Sequence, residues 1–436
     1  MTDSKIMIDI SAKRVLLVSE IFYPMNTIGA IRPCKLARYL QAEGYSVDVF
    51  TAAALSRPED HVNAQYRLVS SPCNDTVEKE SAGKTQRTEK QTAHKRGKFL
   101  TELAMTRRQW LQYRRSAAFA RQFRDAVASG GIDLANYDCI FSTFGPVGSL
   151  LAGLAAKKMR PELHWICDFR DPMVSKIMPK LFAPFYQYLQ DKSICTADWV
   201  TTVSYGYKKR IMRKANMDKC VVIPNGYDPD DEKRLMPDKQ DLRFSFAYVG
   251  ALYEGKRDLS LLFRAIREMI DTGKLEQDKI RFHYAGGEIA FLRAQARPYG
   301  LEEILEDHGR LPHETCLNLQ ASVRFLVMST WNEKGEEGVF PGKLIEYMLM
   351  KKPVINITNG KLPNCEVTQV INELNLGVSC EEADCASYTA LTQWLDAQSQ
   401  AFQAGNAAIF NPRAEEIEAR YNWKNIVKRF GELIDG

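Results

Sequence analysis

The sequence predicts an α/β fold in which two doubly wound parallel-sheet domains follow one another along the chain. At 436 residues the chain exceeds the length of one ordinary core. Short apolar runs alternate with helical patterns, as in a parallel sheet with crossover helices, and this alternation starts again after Pro224. Ligands of such sheets bind beyond the carboxyl ends of the strands. We therefore expect the strand-end loops of both domains to face a shared interdomain cleft.

The first domain is predicted to open with an apolar strand, a turn-rich loop and a helix that ends at Gly44. Another strand, further apolar runs and a second helical stretch continue the alternation. The predicted strands cover residues 14–19, 45–52, 139–144 and 163–169, and the predicted helices pass through 36–40 and 147–158.

The second domain is predicted to follow a linker at residues 221–234, where Pro, Gly, Asn and Asp cluster. We expect residues 1–228 to form the first domain and residues 229–416 the second. The predicted strands of the second domain cover 244–250, 280–286, 324–329 and 353–358, and an amphipathic helix covers 259–272.

Composition restricts the functional classes. The net charge of +5, from 59 Lys and Arg against 54 Asp and Glu, is too small to indicate nucleic-acid binding. We expect neither a signal peptide nor a membrane-spanning helix, because the N-terminal residues are polar and apolar runs are short. The ten cysteines form no CxxC pair, which favours free thiols in a reducing cytoplasm. The six histidines are widely spaced, so we expect no zinc cluster.

Residues 56–97 are polar and lack apolar periodicity, so we interpret them as an excursion from the first domain. Basic side chains crowd between Lys84 and Arg124, and residues 99–127 combine apolar residues at helical spacing with arginine. A solvated outer helix explains this pattern. The alternative is a surface that contacts anionic lipid headgroups, at the inner face of the membrane, or another acidic partner.

The stretch FPGKLIEY, residues 340–347, predicts a helix start at which Lys343 and Glu346 share a face. Helix amides and the helix dipole attract anions, whereas a lysine in the first turn opposes the dipole unless an anion compensates it. A ligand would reconcile these charges, with its phosphate on the amides and Lys343 and a hydroxyl-bearing ring on Glu346. The alternative is an ordinary surface ion pair.

A second candidate site follows the predicted strand that ends at Gly250, where a loop presents Lys256 and Arg257. Glycine at a strand end lets a ligand approach the backbone, and two adjacent cations suit a diphosphate. The alternative is a basic loop in water. The absence of GxxxxGK[ST], and of GxGxxG in the first loop of either domain, argues against P-loop ATPases and nicotinamide enzymes.

In the first domain, DFRDP places Asp168, Arg170 and Asp171 at a predicted strand end. One of the two carboxylates could orient or deprotonate an acceptor hydroxyl. The alternative is a buried Asp–Arg pair that shapes the loop.

These motifs resemble, in order and over nearly the whole chain, those of family-four glycosyltransferases with the GT-B fold of two Rossmann-like domains. The matching stretches include YPMNTIGAIRPCKLARYLQAEGYSVDVFT, DFRDPM, ADWVTTVS, VVIPNGYDPD, FAYVGALYEGKRDLSLLFRAI, GRLPHE and VFPGKLIEYMLMKKPVI. The resemblance implies a terminal helix, within 417–436, that crosses back to the first domain. It also implies a retaining transfer of sugar from a nucleotide-diphosphate donor to a glycan or lipid-linked acceptor, in surface polysaccharide or glycoconjugate synthesis. Neither a metal nor another cofactor is implied, so we expect Asp228–Asp230 to form a turn.

The resemblance also assigns roles to residues. Lys256 and Lys343 would neutralise the donor diphosphate, and Glu346 would hold the ribose, while fixed cations such as Lys256 and Arg257 would stabilise the leaving phosphate. Leu311 would meet the nucleobase through its backbone. The residues that it places at the donor are Gly29, Gly250, Lys256, Leu311, Gly342, Lys343 and Glu346.

Two positions depart from the family pattern. Gly338 stands where the family carries its first glutamate, so the usual carboxylate contact to the sugar is missing there. Ala251 stands where many members carry arginine, and Arg257 is expected to supply that charge. These departures leave open a nucleotide-sugar 2-epimerase on the same plan, which would need no acceptor, and a non-catalytic sugar-nucleotide-binding protein.

Overall fold

A computed structural model describes residues 12–25, 27–52, 67–70, 98–213, 215–232 and 240–436. The predicted α/β class is confirmed, because the described residues form two all-parallel sheets flanked by helices. The described residues of 1–203, 208–223 and 427–436 make up one compact unit, and those of 204–207 and 224–426 make up a second. The chain passes to the second unit at Pro224.

The sheet of the first unit has seven strands in the order β3-β2-β1-β4-β5-β6-β7. These are β1 Arg14–Val18, β2 Ser46–Thr51, β3 Arg67–Ser70, β4 Cys139–Phe144, β5 His164–Phe169, β6 Trp199–Thr202 and β7 Cys220–Val222. The accompanying helices are α1 Ile28–Ala42, α2 Lys98–Ala128, α3 Gly148–Met159, α4 Ala183–Thr196 and α5 Tyr205–Met212. The central strands are buried apolar runs, as a parallel sheet covered on both faces requires.

The sheet of the second unit has six strands in the order β10-β9-β8-β11-β12-β13. These are β8 Phe244–Val249, β9 Ile280–Ala285, β10 Leu305–Asp307, β11 Phe325–Trp331, β12 Val354–Asn359 and β13 Gly377–Glu381. The helices are α6 Pro229–Glu232, α7 Ser260–Asp271, α8 Ile289–Ala296, α9 His313–Ser322, α10 Gly342–Met350, α11 Glu366–Glu373, α12 Cys385–Gln403 and α13 Ala414–Tyr421. The last helix, α14 Trp423–Asp435, begins in this unit and belongs to the first unit from Val427 onward.

The last ten residues of the chain belong to the first unit. Phe430 of α14 packs edge-on against Phe141 of β4, with ring centroids 5.5 Å apart. The guanidinium of Arg32 lies 5.3 Å from the centroid of the same ring. The apolar face of α14 therefore completes the core of the first unit.

Each sheet has one position where the strand order reverses, between β1 and β4 in the first unit and between β8 and β11 in the second. Doubly wound sheets bind their ligands at the carboxyl end of this switch point. Gly250 directly follows β8 and Trp331 ends β11. The topology therefore indicates a ligand site near the loop after β8, which carries Lys256 and Arg257, and the start of α10, which carries Lys343.

One local expectation needs correction. The segment 56–97 contains a strand, β3, which pairs in parallel with β2 at the edge of the sheet; the rest of that segment lies outside the described residues. Asp228–Asp230 form a turn, as expected, because Asp228 Oδ1 accepts a hydrogen bond of 2.9 Å from the amide of Asp230. This turn opens the short helix α6.

Across the part of the chain that the structure covers, none of the helices has both the length and the apolar character needed to span a bilayer.

Candidate functional site

Lys256 and Arg257 lie against one aromatic ring at the end of β11. Lys256 Nζ is 4.0 Å from the centroid of the Trp331 ring, and Arg257 Cζ is 5.6 Å from it. Arg257 also stacks on Tyr253, with Cζ 4.6 Å from that centroid. Cations on aromatic faces are held in place without being neutralised, so Arg257 remains able to attract an anion. Lys256 is in addition paired with Glu336 at 2.9 Å.

Lys343 reaches the same loop from the first turn of α10. Its Nζ lies 4.4 Å from the centroid of the Tyr248 ring. A Cβ on Gly250 would be 2.6 Å from this nitrogen, so the glycine at the end of β8 provides space for the ammonium of Lys343. The backbone of Gly250, with φ of 115°, adopts a conformation that L side chains rarely take.

The ammonium of Lys343 is electrostatically unsatisfied. Its Nζ is buried and has no hydrogen-bond partner among the described residues. Burial, followed by the nearby charge of Arg257, lowers the pKa of Lys343 to about 7, while Glu346 acts in the opposite direction. An anion that brought its own oxygens to Nζ would supply the missing hydrogen bonds and restore the charge.

Glu346 is half-buried, so Lys343 and Glu346 are not the fully exposed surface pair that the sequence left open. Burial raises the pKa of Glu346, and His313, a hydrogen bond with Gln320 and the charge of Lys343 lower it. His313 and Gln320 belong to α9, which begins two residues after the half-buried Leu311. Helix α9 thus links the Leu311 loop to Glu346.

The start of α10 is open. No described atom lies within 4 Å of a Cβ built on Gly342, apart from its immediate chain neighbours and the helix backbone. Pro341 precedes the helix and makes no side-chain cap, so the first amides are not satisfied by a capping side chain. An anion could approach them beside Lys343.

The β8–α7 loop is held in shape by a carboxylate of the protein itself. Glu288 accepts hydrogen bonds from the amides of Leu252, Tyr253 and Glu254 at 2.6, 3.2 and 2.9 Å. Tyr253 and Glu254 have positive φ angles of 53° and 54°. Three charge-assisted bonds compensate this strained conformation, which presents Lys256 and Arg257 to Trp331.

Replacing Glu288 with glutamine should therefore lower the free energy of unfolding by about 1–2 kcal/mol or more, because glutamine offers one neutral oxygen to these amides and places an NH2 donor against at least one of them. Urea denaturation at neutral pH measures the change. Glu303→Gln, at an exposed position of the same unit, should leave stability within about 0.5 kcal/mol of the parent. Equal midpoints for the two variants would contradict this role of Glu288.

Gly338 has a steric reason to be glycine. Its φ is 83°, and a Cβ there would lie 2.5 Å from the amide nitrogen of Tyr207 and 2.6 Å from Cα of Gly206. Ser204 Oγ donates to the carbonyl of Gly338 at 2.7 Å. The close approach of residues 204–207, which belong to the second unit, therefore excludes a glutamate from this backbone position.

In the first unit, Asp168 is fully buried within the sheet. Arg32 donates to it through Nε and Nη2, the latter at 2.9 Å. Thr143 Oγ1 and Thr201 Oγ1 donate at 2.8 and 2.7 Å. These surroundings favour the structural interpretation of Asp168, a buried ion pair, over the catalytic one. Asp171 is exposed just beyond β5 and remains the candidate for a carboxylate that contacts an acceptor.

Arg170 joins the loops at the switch point of the first sheet. Its guanidinium donates to the carbonyls of Gly29, Phe144 and Gly145 at 2.6, 3.1 and 2.9 Å. Burial lowers the pKa of Arg170, and the charges of Asp168 and Asp171 oppose that shift. Gly29 is thus brought to Arg170, at the carboxyl ends of β1, β4 and β5.

Glu20 is a titratable residue that the sequence reasoning missed. It follows β1, and its carboxylate accepts from Ser116 Oγ at 3.2 Å and from the amide of Gly148 at 3.1 Å. Burial raises the pKa of Glu20 to about 7, against the lowering effect of those two bonds. Nothing in the local sequence signals this, because the burying residues are about a hundred positions away.

Two of the widely spaced histidines meet in the fold, together with a glutamate. His283 and His308 lie with their ring nitrogens 2.9 Å apart, and Glu306 lies beside both. The pairing of β9 with β10 brings them together, which their spacing in the sequence does not reveal.

The chain matches two family models. Residues 34–231 match the model described as Glycosyltransferase Family 4, and residues 243–393 match the model described as Glycosyl transferases group 1. No curated protein sequence matches the chain.

Several solved structures resemble the chain over nearly its full length. Sucrose-phosphate synthase from Thermosynechococcus elongatus is 17% identical, with a TM-score of 0.58 over 97% of this chain and 98% of its own. The α,α-trehalose 6-phosphate synthase from Burkholderia multivorans is 14% identical, with a TM-score of 0.59 over 97% and 98%. A protein described as a UDP-N-acetylglucosamine 2-epimerase from Listeria monocytogenes is 12% identical, with a TM-score of 0.50 over 98% and 96%. At these identities the likeness shows the fold alone.

The two-sheet architecture and the matched models define the protein as a GT-B glycosyltransferase. The two matched models, which together cover most of the chain, are both models of glycosyltransferases, the class that the motifs predicted. It is thus a transferase that uses a nucleotide-sugar donor.

Proposed function

We propose that this enzyme transfers a sugar, with retention of anomeric configuration, from a nucleotide-diphosphate donor held by the second unit to a glycan or lipid-linked acceptor. Synthesis of a surface polysaccharide or glycoconjugate is the process that such an acceptor suggests. The observation that carries the proposal is the ammonium of Lys343, which has no hydrogen-bond partner in the part of the chain that the structure describes and lies beside Arg257 and an open helix start.

The leaving group of this reaction is a nucleoside diphosphate, on which negative charge grows as the glycosidic bond breaks. Groups fixed before the reaction stabilise that charge most effectively. Arg257 is fixed by Tyr253, by Trp331 and by its bond to the carbonyl of Ala251 at 3.1 Å. Lys343 is fixed between Tyr248 and Gly250. In this proposal both cations face the diphosphate, Glu346 the ribose, and the backbone at Leu311 the base.

The test is turnover of a panel of UDP-, GDP- and ADP-sugars, with and without glycan and lipid-linked acceptors, followed by NMR. We expect an acceptor-dependent product whose anomeric configuration matches that of the donor. A new sugar nucleotide formed without acceptor would instead identify a 2-epimerase, and binding without any product a non-catalytic protein. Inversion at the anomeric carbon would contradict only the proposed retention of configuration and would leave the proposed sugar transfer standing.

We further propose that the first half of α2 contacts anionic lipid headgroups at the inner face of the membrane, where a lipid-linked acceptor would be found. Apolar side chains are exposed there, and several of the neighbouring exposed positions are arginine. Leu100, Leu103 and Leu111 are 56%, 49% and 50% exposed. Arg107, Arg108 and Arg114 are exposed as well. A basic and apolar surface of this kind suits the anionic cytoplasmic leaflet.

Replacing Arg107 and Arg108 together with glutamine should weaken partitioning onto anionic vesicles roughly 30-fold, at about 1 kcal/mol for each charge. Flotation with vesicles of phosphatidylcholine, with and without phosphatidylserine, measures the effect. The control replaces Lys334 and Lys361, exposed lysines of the second unit, and should partition like the parent. Equal partitioning of the parent protein onto vesicles with and without phosphatidylserine would contradict this proposal.

A further inference from the structure

A cluster of possible metal ligands lies on one face of the edge strands β9 and β10, apart from the cations at the switch point. His283 and Glu306 are partners in the β9–β10 register. His308 lies two residues after Glu306, so all three side chains share a face. The side chains of Glu306 and His308 are 42% and 25% exposed, and that of His283 is 7% exposed. The cluster is therefore buried on the side of His283 and open to solvent on the side of Glu306 and His308.

One ligand atom from each of the three residues lies within 4.8 Å of the other two, close enough for a shared metal ion. His283 Nδ1 is 2.9 Å from His308 Nε2 and 3.7 Å from Glu306 Oε2, and His308 Nε2 is 3.7 Å from Glu306 Oε1. Zn²⁺ with bonds of about 2.0–2.1 Å separates its ligand atoms by about 3.3 Å, a value that lies between the observed distances. We propose that His283, Glu306 and His308 bind Zn²⁺, with a water molecule as the fourth ligand.

An independent feature supports this assignment. Asp241 Oδ2 lies 2.8 Å from Nε2 of His283, on the side of the ring opposite the cluster. Asp241 is itself held by Arg243, whose Nε and Nη2 donate at 2.9 and 3.1 Å. In the tautomer with its proton on Nε2, His283 donates to this carboxylate and turns the lone pair of Nδ1 toward the other ligands. Metal-bound histidines are oriented by such carboxylate partners.

The charges around the cluster indicate which cation fits. Arg281 Nε and Arg243 Nη2 lie 3.8 and 4.0 Å from Glu306 Oε2, leaving Oε1 toward His308. A site with one partly compensated carboxylate and two imidazoles suits Zn²⁺ or Co²⁺. It does not suit Mg²⁺ or Ca²⁺, which require several oxygen ligands.

A bound ion would join the edge strand β10 to β9. Through Asp241 it would also fix the segment that leads into β8, and His308 lies three residues before Leu311. The bound ion would stabilise this edge of the second unit. This effect does not depend on the proposed transfer reaction.

The test is titration of metal-free full-length protein with Co²⁺ alone, followed by its visible d–d absorption, and then displacement by Zn²⁺. We expect one ion per chain, bands of a four- or five-coordinate site, and a higher melting temperature with Zn²⁺. His308→Gln and Glu306→Gln should each lose at least 100-fold in affinity. Asp241→Asn should lose roughly 10- to 100-fold, as loss of an orienting partner does. His313→Gln, in the same unit but outside the cluster, should titrate like the parent.

Far-UV circular dichroism of each variant separates loss of the site from loss of the fold. Parent protein without d–d bands, or His308→Gln and Glu306→Gln that fold and titrate like the parent, would overturn the proposal. The two imidazoles would then form only an internal hydrogen bond.

Discussion

Replacing Lys343 with methionine is expected to lower sugar transfer by at least a hundredfold while making the folded protein more stable. Loss of a preorganised group that stabilises developing charge typically costs about 10²–10³ in kcat. Methionine fills similar space in the pocket between Tyr248 and Gly250 and needs no hydrogen bonds. Steady-state kinetics with a saturating donor, once the donor is identified, measures the loss.

The stability gain should depend on pH with a definite sign. The pKa of Lys343 is lowered from 10.5 to about 7 in the folded protein, so between these values the unfolded chain binds more protons. Stability of the parent therefore rises with pH across this window relative to the variant. The advantage of Lys343→Met should be greatest at pH 7 and below, on the order of 2–4 kcal/mol, and should vanish as the pH approaches 10.5.

Lys361→Met provides the control, because Lys361 is an exposed lysine of the same unit. Its activity and its pH-dependent stability should match those of the parent. A Lys343→Met enzyme that transfers sugar at the parental rate would remove the electrostatic basis of the mechanism. A difference in stability that is constant with pH would show that Lys343 is not a buried ammonium.

Restoring the glutamate of the family at position 338 is expected to destabilise the enzyme rather than improve it. The new Cβ would meet the backbone of Gly206 and Tyr207 at 2.5–2.6 Å, and the residue would be held at a φ of 83°. We expect Gly338→Glu to lose about 2–4 kcal/mol, since an incompatible backbone conformation and a steric clash both contribute. Activity should fall because residues 204–207 must shift.

Two alanine variants separate these causes. Gly338→Ala adds the Cβ without the carboxylate and should lose nearly as much stability as Gly338→Glu. Gly405→Ala tests a positive φ of 73° at a position with nothing within 4 Å, and should lose about 1 kcal/mol. A Gly338→Glu enzyme with parental stability and higher activity would show that the glycine is dispensable.

The sequence was sufficient for the fold and for much of the second-unit site. Apolar runs located the central strands of both sheets within one or two residues, because buried parallel strands are recognisable from composition alone. Lys343 was recognised because a cation at a helix start requires an explanation. Lys256 and Arg257 were recognised because they follow a strand that ends in glycine.

Other features depend on contacts between distant residues and could not be predicted. Gly250 was expected to admit a ligand, yet the space beside it holds the ammonium of Lys343. The environment of Asp168 is set by Arg32 and two threonines from different strands. The histidine cluster arises from strand pairing at the sheet edge. In each case the sequence shows the residue type, while its neighbours are determined by topology.

The most direct test of the central claim, that Lys343 holds the donor diphosphate, is proton uptake on binding. Calorimetry of a nucleoside diphosphate at pH 8, in two buffers of different ionisation enthalpy, measures it. Lys343 of the free enzyme, with a pKa of about 7, is then mostly neutral and must gain its proton to bind the anion. We expect the parent to take up close to one proton per site and Lys343→Met to take up none. Binding by the parent without proton uptake, or equal uptake by both proteins, would contradict the account.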